Sequence, residues 1–282
     1  MKIISSNTIS NALLMQIPRL ANVLPYDVRE ALEAAREKET NPRAQIILDQ
    51  LLENAKIAAT DHVPLCQDTG TVWVCLEVGP DVSLNGNVFA TADEAVAIAY
   101  KNLKLRKSLV KDALFDRTNT GTNTPAFCEL RFAPFEPGVC RLHIMLKGGG
   151  SDNASRVIML PPSAGKQGVI DEVVKCVKEK AANACPPLVI GVGVGSTFDK
   201  VPNLAKRALM RPLNVEAPDP EVAAFEKELL EAVNATGIGP GAFGGDTTAL
   251  GVRVMTAPCH IAALPVAINM GCSAMRRVTV EL

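Results

Sequence analysis

Thr71-Val-Trp-Val-Cys-Leu-Glu-Val78 is where the 282-residue chain changes texture. Eight compact, largely β-branched residues read as a buried strand. Upstream the pattern is helical. Ile9, Leu13, Leu14 and Ile17 recur at helical spacing, and Pro18 is expected to end or bend that segment. Pro25 suits the first turn of a second helix through Val28, Leu32 and Ala35. Asn41 as N-cap and Pro42 at the first position open a third, through Ile46, Leu48, Leu51, Leu52 and Ile57. Downstream, Asn85-Gly86 reads as a turn, and Thr91-Ala-Asp-Glu94 as a capping box before a helix over 92–103. Strands are expected at 126–132, 139–146, 188–194 and finally 250–255, and helices at 163–182 and 221–233. Helices and strands mix without strict alternation, and no internal repeat appears. The expected fold class is therefore mixed α/β: a helical N-terminal segment (residues 1–60) followed by a mixed-sheet α/β domain (residues 61–282).

A hydrophobic content of 48% supplies a sizeable core and excludes a disordered chain. With 29 basic and 30 acidic side chains, net charge −1 and no basic run, an electrostatic nucleic-acid binder is excluded. Polar residues interrupt the first twenty positions before an apolar stretch forms, so neither a leader peptide nor a membrane span is expected. The expectation is a cytoplasmic chain.

Eight cysteines stand at 66, 75, 128, 140, 176, 185, 259 and 272, without a CxxC. Disulfides explain them poorly in a cytosolic protein. Cys75, Cys128 and Cys140 fall in expected strands and Cys176 in an expected helix, where a thiol serves as a small apolar group. Cys66, Cys185 and Cys272 instead sit at chain reversals, and Cys259 is undecided. The reversals belong to loops rich in Gly and small polar residues: 64–70, 119–124, 147–153, 237–248 and 269–277. Glycine concentrated in this way marks positive φ or close approach of backbone to a ligand.

Familiar chemistries do not fit these loops. Lys147-Gly-Gly-Gly-Ser151 reverses the order of a P-loop. Gly191-Val-Gly-Val-Gly195 lacks the third glycine of a dinucleotide fingerprint, and Gly237-Ile-Gly-Pro-Gly-Ala242 follows a helix instead of a strand. No G-x-S-x-G elbow is present. His143 reads as a satisfied strand residue, whereas His62 and His260 lie beside loops without metal-ligand spacing. Three thiols at reversals suit an iron–sulfur cluster with one iron open to water or substrate. Eight buried thiols is the competing reading.

Six blocks then carry a resemblance: Cys66-Gln-Asp-Thr-Gly70, Leu105-Arg-Lys-Ser108, Asn119-Thr-Gly-Thr-Asn-Thr-Pro125, Lys147-Gly-Gly-Gly-Ser151, Ala184-Cys-Pro-Pro187 and Gly271-Cys-Ser-Ala-Met-Arg276. In this order, over about residues 10–280, they resemble the iron–sulfur class I fumarate hydratases and L-tartrate dehydratases. The resemblance implies a [4Fe–4S] cluster held by Cys66, Cys185 and Cys272, with the fourth iron unligated by protein. It also implies Gln67, Arg106 and Gly149 as substrate-binding residues and Asp68 as a catalytic residue, with a cap or turn carboxylate as the competing reading of Asp68. Single-chain members are roughly twice as long. The chain thus looks like an α subunit, paired as a homodimer of α chains and completed by a separate β subunit. Fumarate–malate interconversion is the leading expectation from sequence, L-tartrate dehydration the alternative, and a metal-free binding or scaffold protein the lower one.

Cys66→Ser, Cys185→Ser and Cys272→Ser are each expected to abolish iron incorporation after anaerobic purification. Cys75→Ser and Cys176→Ser should lower stability alone; equal iron loss in all five would refute the ligand assignment.

Overall fold

The computed structural model describes residues 2–282. In chain order the elements are β1 (Lys2–Ile4), α1 (Ser6–Asn22), α2 (Tyr26–Lys38), α3 (Pro42–Asp61), β2 (Thr71–Val78), β3 (Val82–Leu84), α4 (Ala92–Asn102), β4 (Phe127–Phe132) and β5 (Cys140–Lys147). There follow α5 (Gly149–Asn153), β6 (Arg156–Leu160), α6 (Gly165–Lys180), β7 (Leu188–Ser196), α7 (Val201–Ala208), α8 (Pro220–Asn234), β8 (Ala249–Cys259), β9 (Leu264–Gly271) and β10 (Arg276–Glu281). The chain is mixed α/β, and it divides into two compact units. One comprises residues 1–25, 57–148 and 276–282; the other comprises 26–56 and 149–275. Among the described residues no helix is long and apolar enough to cross a membrane.

The first unit is built on the strand order β10-β5-β2-β4, with β2 antiparallel to β5 and parallel to β4. Alternation decides which face each side chain takes. Val72, Val74, Leu76 and Val78 join Leu142, Ile144 and Leu146 beneath α1 and α4, packed on Ile9, Leu13, Ile17, Val96 and Tyr100. The opposite face holds Trp73, Cys75 and Met145 and one charged cluster, in which Glu77, only 6% exposed, pairs with Arg131, Arg141 and His143. The His143 hydrogen bond and these guanidinium charges hold its carboxyl below the usual range despite burial. His143 is thus a satisfied strand residue.

Helix α1 opens with a capping box, Ser5 and Thr8 bonding reciprocally, and continues past Pro18 to Asn22. Pro18 therefore does not end it. The capping box expected at Thr91 does not form, because the Thr91 hydroxyl is turned to the Ser6 carbonyl, 3.3 Å away. Asn41 does cap α3, accepting from the Arg43 N–H at 2.9 Å.

The second unit repeats the same pattern of strand directions in the order β6-β9-β7-β8: β7 is antiparallel to β9 and parallel to β8. Leu188, Ile190 and Val192 face α6 and α8. On the other face Gly191 and Gly193 let α7 lie directly on the strand. A Cβ on Gly191 would stand 2.1 Å from the Ala205 carbonyl oxygen, and one on Gly193 2.6 Å from that of Val201. Residues 26–56 join this unit through buried carboxylates. Asp27 accepts from the Leu213 N–H at 2.8 Å, and Glu39 from the Asp246 and Thr247 N–H groups at 2.9–3.1 Å.

Strands β9 and β10 lie beyond the last expected strand. Pro265 argues against a central strand, which β9 is, but pairing with β7 begins only at Val266, so its missing N–H falls outside that ladder.

Gly191→Ala should destabilise the chain by about 1–3 kcal/mol or more, because backbone instead of a flexible side chain blocks the new methyl. Thermal unfolding checks this; an unchanged midpoint would show that α7 can move off the strand.

Candidate functional site

In the first unit the loop between α3 and β2 carries Cys66, Gln67 and Asp68. Its entry is fixed by the Leu65 N–H donating to the Ala21 carbonyl at 2.8 Å. The Cys66 thiol donates to Gln67 Oε1 at 3.1 Å. Asp68 Oδ1 accepts from the Gly70 N–H at 3.0 Å, which is a turn-forming role, while Oδ2 lies toward Gly148. Gly70, at φ +83°, cannot carry a side chain, since a Cβ would meet the backbone of Leu146 and Lys147 at 2.8–2.9 Å.

Behind the loop the polar groups are buried and matched. The Tyr100 hydroxyl is 3.0 Å from both the Thr69 and Gly70 carbonyl oxygens, and burial pushes its phenol up to about 12. Thr69 Oγ1 donates to the Arg106 carbonyl at 2.6 Å. Asn123, fully buried, donates through Nδ2 to the Gly70 carbonyl at 3.1 Å and accepts the Ser108 N–H on Oδ1 at 2.8 Å. The Arg106 side chain is exposed and makes no ion pair among the described residues, so its planar guanidinium can receive a carboxylate.

Arg276, 1% exposed, extends this polar region. Its Nε and Nη1 lack a hydrogen-bond partner, and its Nη2 lies 3.8 Å from where a Gly148 Cβ would stand. That same Cβ would be 3.3 Å from Asp68 Oδ2. Glycine at 148 thus keeps the space between a carboxylate and a buried cation clear.

In the second unit α6 runs into a 3₁₀ turn over Ala181–Ala184, and Cys185 follows in the left-handed region (φ 55°, ψ 68°) with an exposed side chain. Its carbonyl accepts from the Ser273 N–H at 3.1 Å, which sets the Cys272 segment against it. Gly271 keeps that segment close: a Cβ there would lie 2.6 Å from the Met275 sulfur. Gly149, exposed, begins α5, whose Gly150 would meet the Asn183 carbonyl at 2.9 Å if it bore a Cβ. The second unit therefore gathers Gly149, Cys185 and Cys272, and the first gathers Cys66, Gln67, Asp68 and Arg106.

The thiols divide by chemistry. Burial pushes Cys75 up to about 12 and Cys128 up to about 11, and it raises Cys140 and Cys176 as well. Those four resist the thiolate form that a metal requires. Cys185 is exposed, and Cys66 and Cys272 are partly so, on loops instead of within elements. In donor type and access they fit an iron–sulfur cluster. Among the described residues no three His, Cys, Asp or Glu side chains already converge as a metal site. Cys259 is exposed at the end of β8, its thiol donating to the Ala263 carbonyl at 3.2 Å. His260 accepts the Ala262 N–H as a turn residue, and His62 lies exposed with φ 55°.

Sequence reasoning missed Tyr100, which reads as a core aromatic, and assigned no role to Arg276. Asn123 stands in the Gly- and Thr-rich run 119–124, but nothing in the order of residues discloses its partners.

Residues 11–281 match the fumarate hydratase (Fumerase) family, and the chain belongs to it. A Methanocaldococcus jannaschii protein named "Putative L(+)-tartrate dehydratase subunit alpha" is 38% identical over 273 residues, covering 95% of each chain. The L(+)-tartrate dehydratase subunit alpha of Escherichia coli (strain K12) is 32% identical over 258 residues, covering 91% of this chain and 84% of its own. That of Escherichia coli (strain UTI89 / UPEC) is 31% identical over 261 residues, covering 92% and 86%.

In the metal-free chain, iodoacetamide at pH 8 should label Cys185 and Cys259 first and Cys66 and Cys272 more slowly. Cys75, Cys140 and Cys176 should react only on unfolding, as peptide mapping by mass spectrometry would report. Early modification of Cys176 would contradict the burial that separates these groups.

Proposed function

We propose that the chain is the α subunit of an iron–sulfur hydro-lyase for four-carbon dicarboxylates, with L-tartrate, dehydrated to oxaloacetate, as its substrate. The observation that carries this is likeness along nearly the whole length to chains named as L(+)-tartrate dehydratase α subunits. A second reading, fumarate–malate interconversion, is supported by the family's own description. The two substrates differ by one hydroxyl, and no residue of this chain separates them on physical grounds.

Cys66, Cys185 and Cys272 would hold a [4Fe–4S] cluster, leaving one iron without a protein ligand. When bound, the group supplies a Lewis acid that polarises the C–O bond to be broken. Arg106 binds one substrate carboxylate by two parallel N–H bonds. Gln67 orients the substrate's oxygens from the adjoining loop, and the Gly149 backbone, bare of a side chain, allows close approach. Asp68, its carboxylate oriented by the Gly70 N–H, moves the proton at the neighbouring carbon. A separate β subunit supplies the remaining substrate contacts, and α chains pair with one another in the assembly.

The test is turnover by the anaerobically reconstituted αβ enzyme. L-tartrate should be dehydrated with kcat/KM about tenfold or more above malate, a preference that one matched hydroxyl can provide. The opposite preference would select the second reading, and failure on both substrates would overturn the proposal. The α chain alone, loaded with iron, should show no comparable turnover.

A further inference from the structure

We propose that Asn123 is a positioning residue: it locks the Arg106 segment to the Cys66–Gly70 loop and thereby sets how tightly a substrate carboxylate is held. This rests on the reading of Gln67, Asp68 and Arg106 as substrate contacts given above, and it assigns a purpose to Asn119-Thr-Gly-Thr-Asn123.

That run clamps residues 107–109 at three points. The Asn119 carboxamide donates to the Lys107 carbonyl at 2.8 Å, the Thr120 N–H donates to the Leu109 carbonyl at 2.9 Å, and Asn123 accepts the Ser108 N–H. Asn123 alone also reaches the other loop, through its bond to the Gly70 carbonyl. Its partners are 15 residues away on one side and 53 on the other. One planar carboxamide therefore ties the peptide two residues after Asp68 to the peptide two residues after Arg106, beside the direct bond from the Thr69 hydroxyl to the Arg106 carbonyl.

The position demands asparagine for three concurrent reasons. Its backbone is left-handed (φ 62°), a conformation asparagine tolerates better than most side chains. It needs an acceptor toward Ser108 and a donor toward Gly70 on one short side chain. It is fully buried, so a reversed amide would face N–H to N–H and oxygen to oxygen with no water to relieve either clash. Aspartate has the right shape but no donor, and would set a buried carboxylate against the Gly70 carbonyl. Glycine accepts the backbone angle and supplies neither bond. Around it, Leu105 is anchored by burial and by its N–H on the Tyr100 carbonyl at 3.0 Å, leaving Arg106 as the exposed member of a segment fixed on both sides.

The test compares Asn123→Asp, Asn123→Gly and Val96→Ala, the last a core truncation under the same sheet, in the anaerobically assembled αβ enzyme. Both Asn123 variants should keep wild-type iron content and raise KM for the dicarboxylate about tenfold, with kcat changed by less than about threefold. Val96→Ala should lower the unfolding temperature without moving KM. Hydrogen exchange gives a readout independent of turnover: in Asn123→Gly the amides of 66–70 and 105–110 should exchange about tenfold faster, while those of β7 stay unchanged. Unchanged KM in both Asn123 variants of an active enzyme, or unchanged exchange in the two loops, overturns the inference. If the wild-type assembly turns over neither L-tartrate nor malate, the proposed function fails. Faster exchange in both loops then still supports the clamp.

Discussion

The carbonyl oxygens of Thr69 and Gly70 belong to buried residues at the turn into β2, just before its ladder with β5 begins. A buried carbonyl left unmatched costs about 1–3 kcal/mol, so the fold must bring donors to this spot. It brings two, the Tyr100 phenol from α4 and the Asn123 carboxamide from a distant loop. Much of the first unit follows from that requirement. Tyr100 lies in the apolar layer beneath α1 and α4, so correct packing of the core is also what presents its hydroxyl. The loop bearing Cys66, Gln67 and Asp68 inherits its position from groups that never leave the interior.

The second unit meets a comparable constraint with different means. Glu226, 4% exposed, accepts the Val254 N–H at 2.6 Å and pairs with Arg211 and Arg253, a satisfied network of the kind that buried charge requires. Glycines at 191 and 193 replace side-chain interdigitation with direct backbone contact between β7 and α7. These features hold the sheet whose β7 begins just after Cys185 and whose β9 ends just before Cys272. Rigid elements thus present thiols that the loops alone would leave scattered.

Much of this was legible from residue order. The apolar alternation of β2 and β7 and the caps at Asn41 and Pro42 are local signals, written within a few residues of where they act. So is the contrast between thiols inside elements and thiols at reversals. Pro18 does not end α1 because burial of Ile17, Leu20 and Ala21 outweighs one missing N–H, and Thr91 misled because Ser6 offers its hydroxyl a competing acceptor. Tyr100, Asn123 and Arg276 were illegible for another reason. Their meaning lies in partners dozens of residues away, and neither periodicity nor composition records a long-range hydrogen bond.

The last strand carries one more consequence. β10 completes the first sheet by pairing Arg276 with Leu146 and Glu281 with Arg141, although some 130 residues of the other unit intervene between the two strands. Chains are synthesised from the N-terminus, so α1, α4 and their sheet emerge early yet lack the β10 edge until the second unit's segment has been made. The second unit's long segment can fold while the first is still waiting. Closure of the first sheet, and with it burial of Arg276 beside the Asp68 loop, is therefore a late event in the biogenesis of the chain.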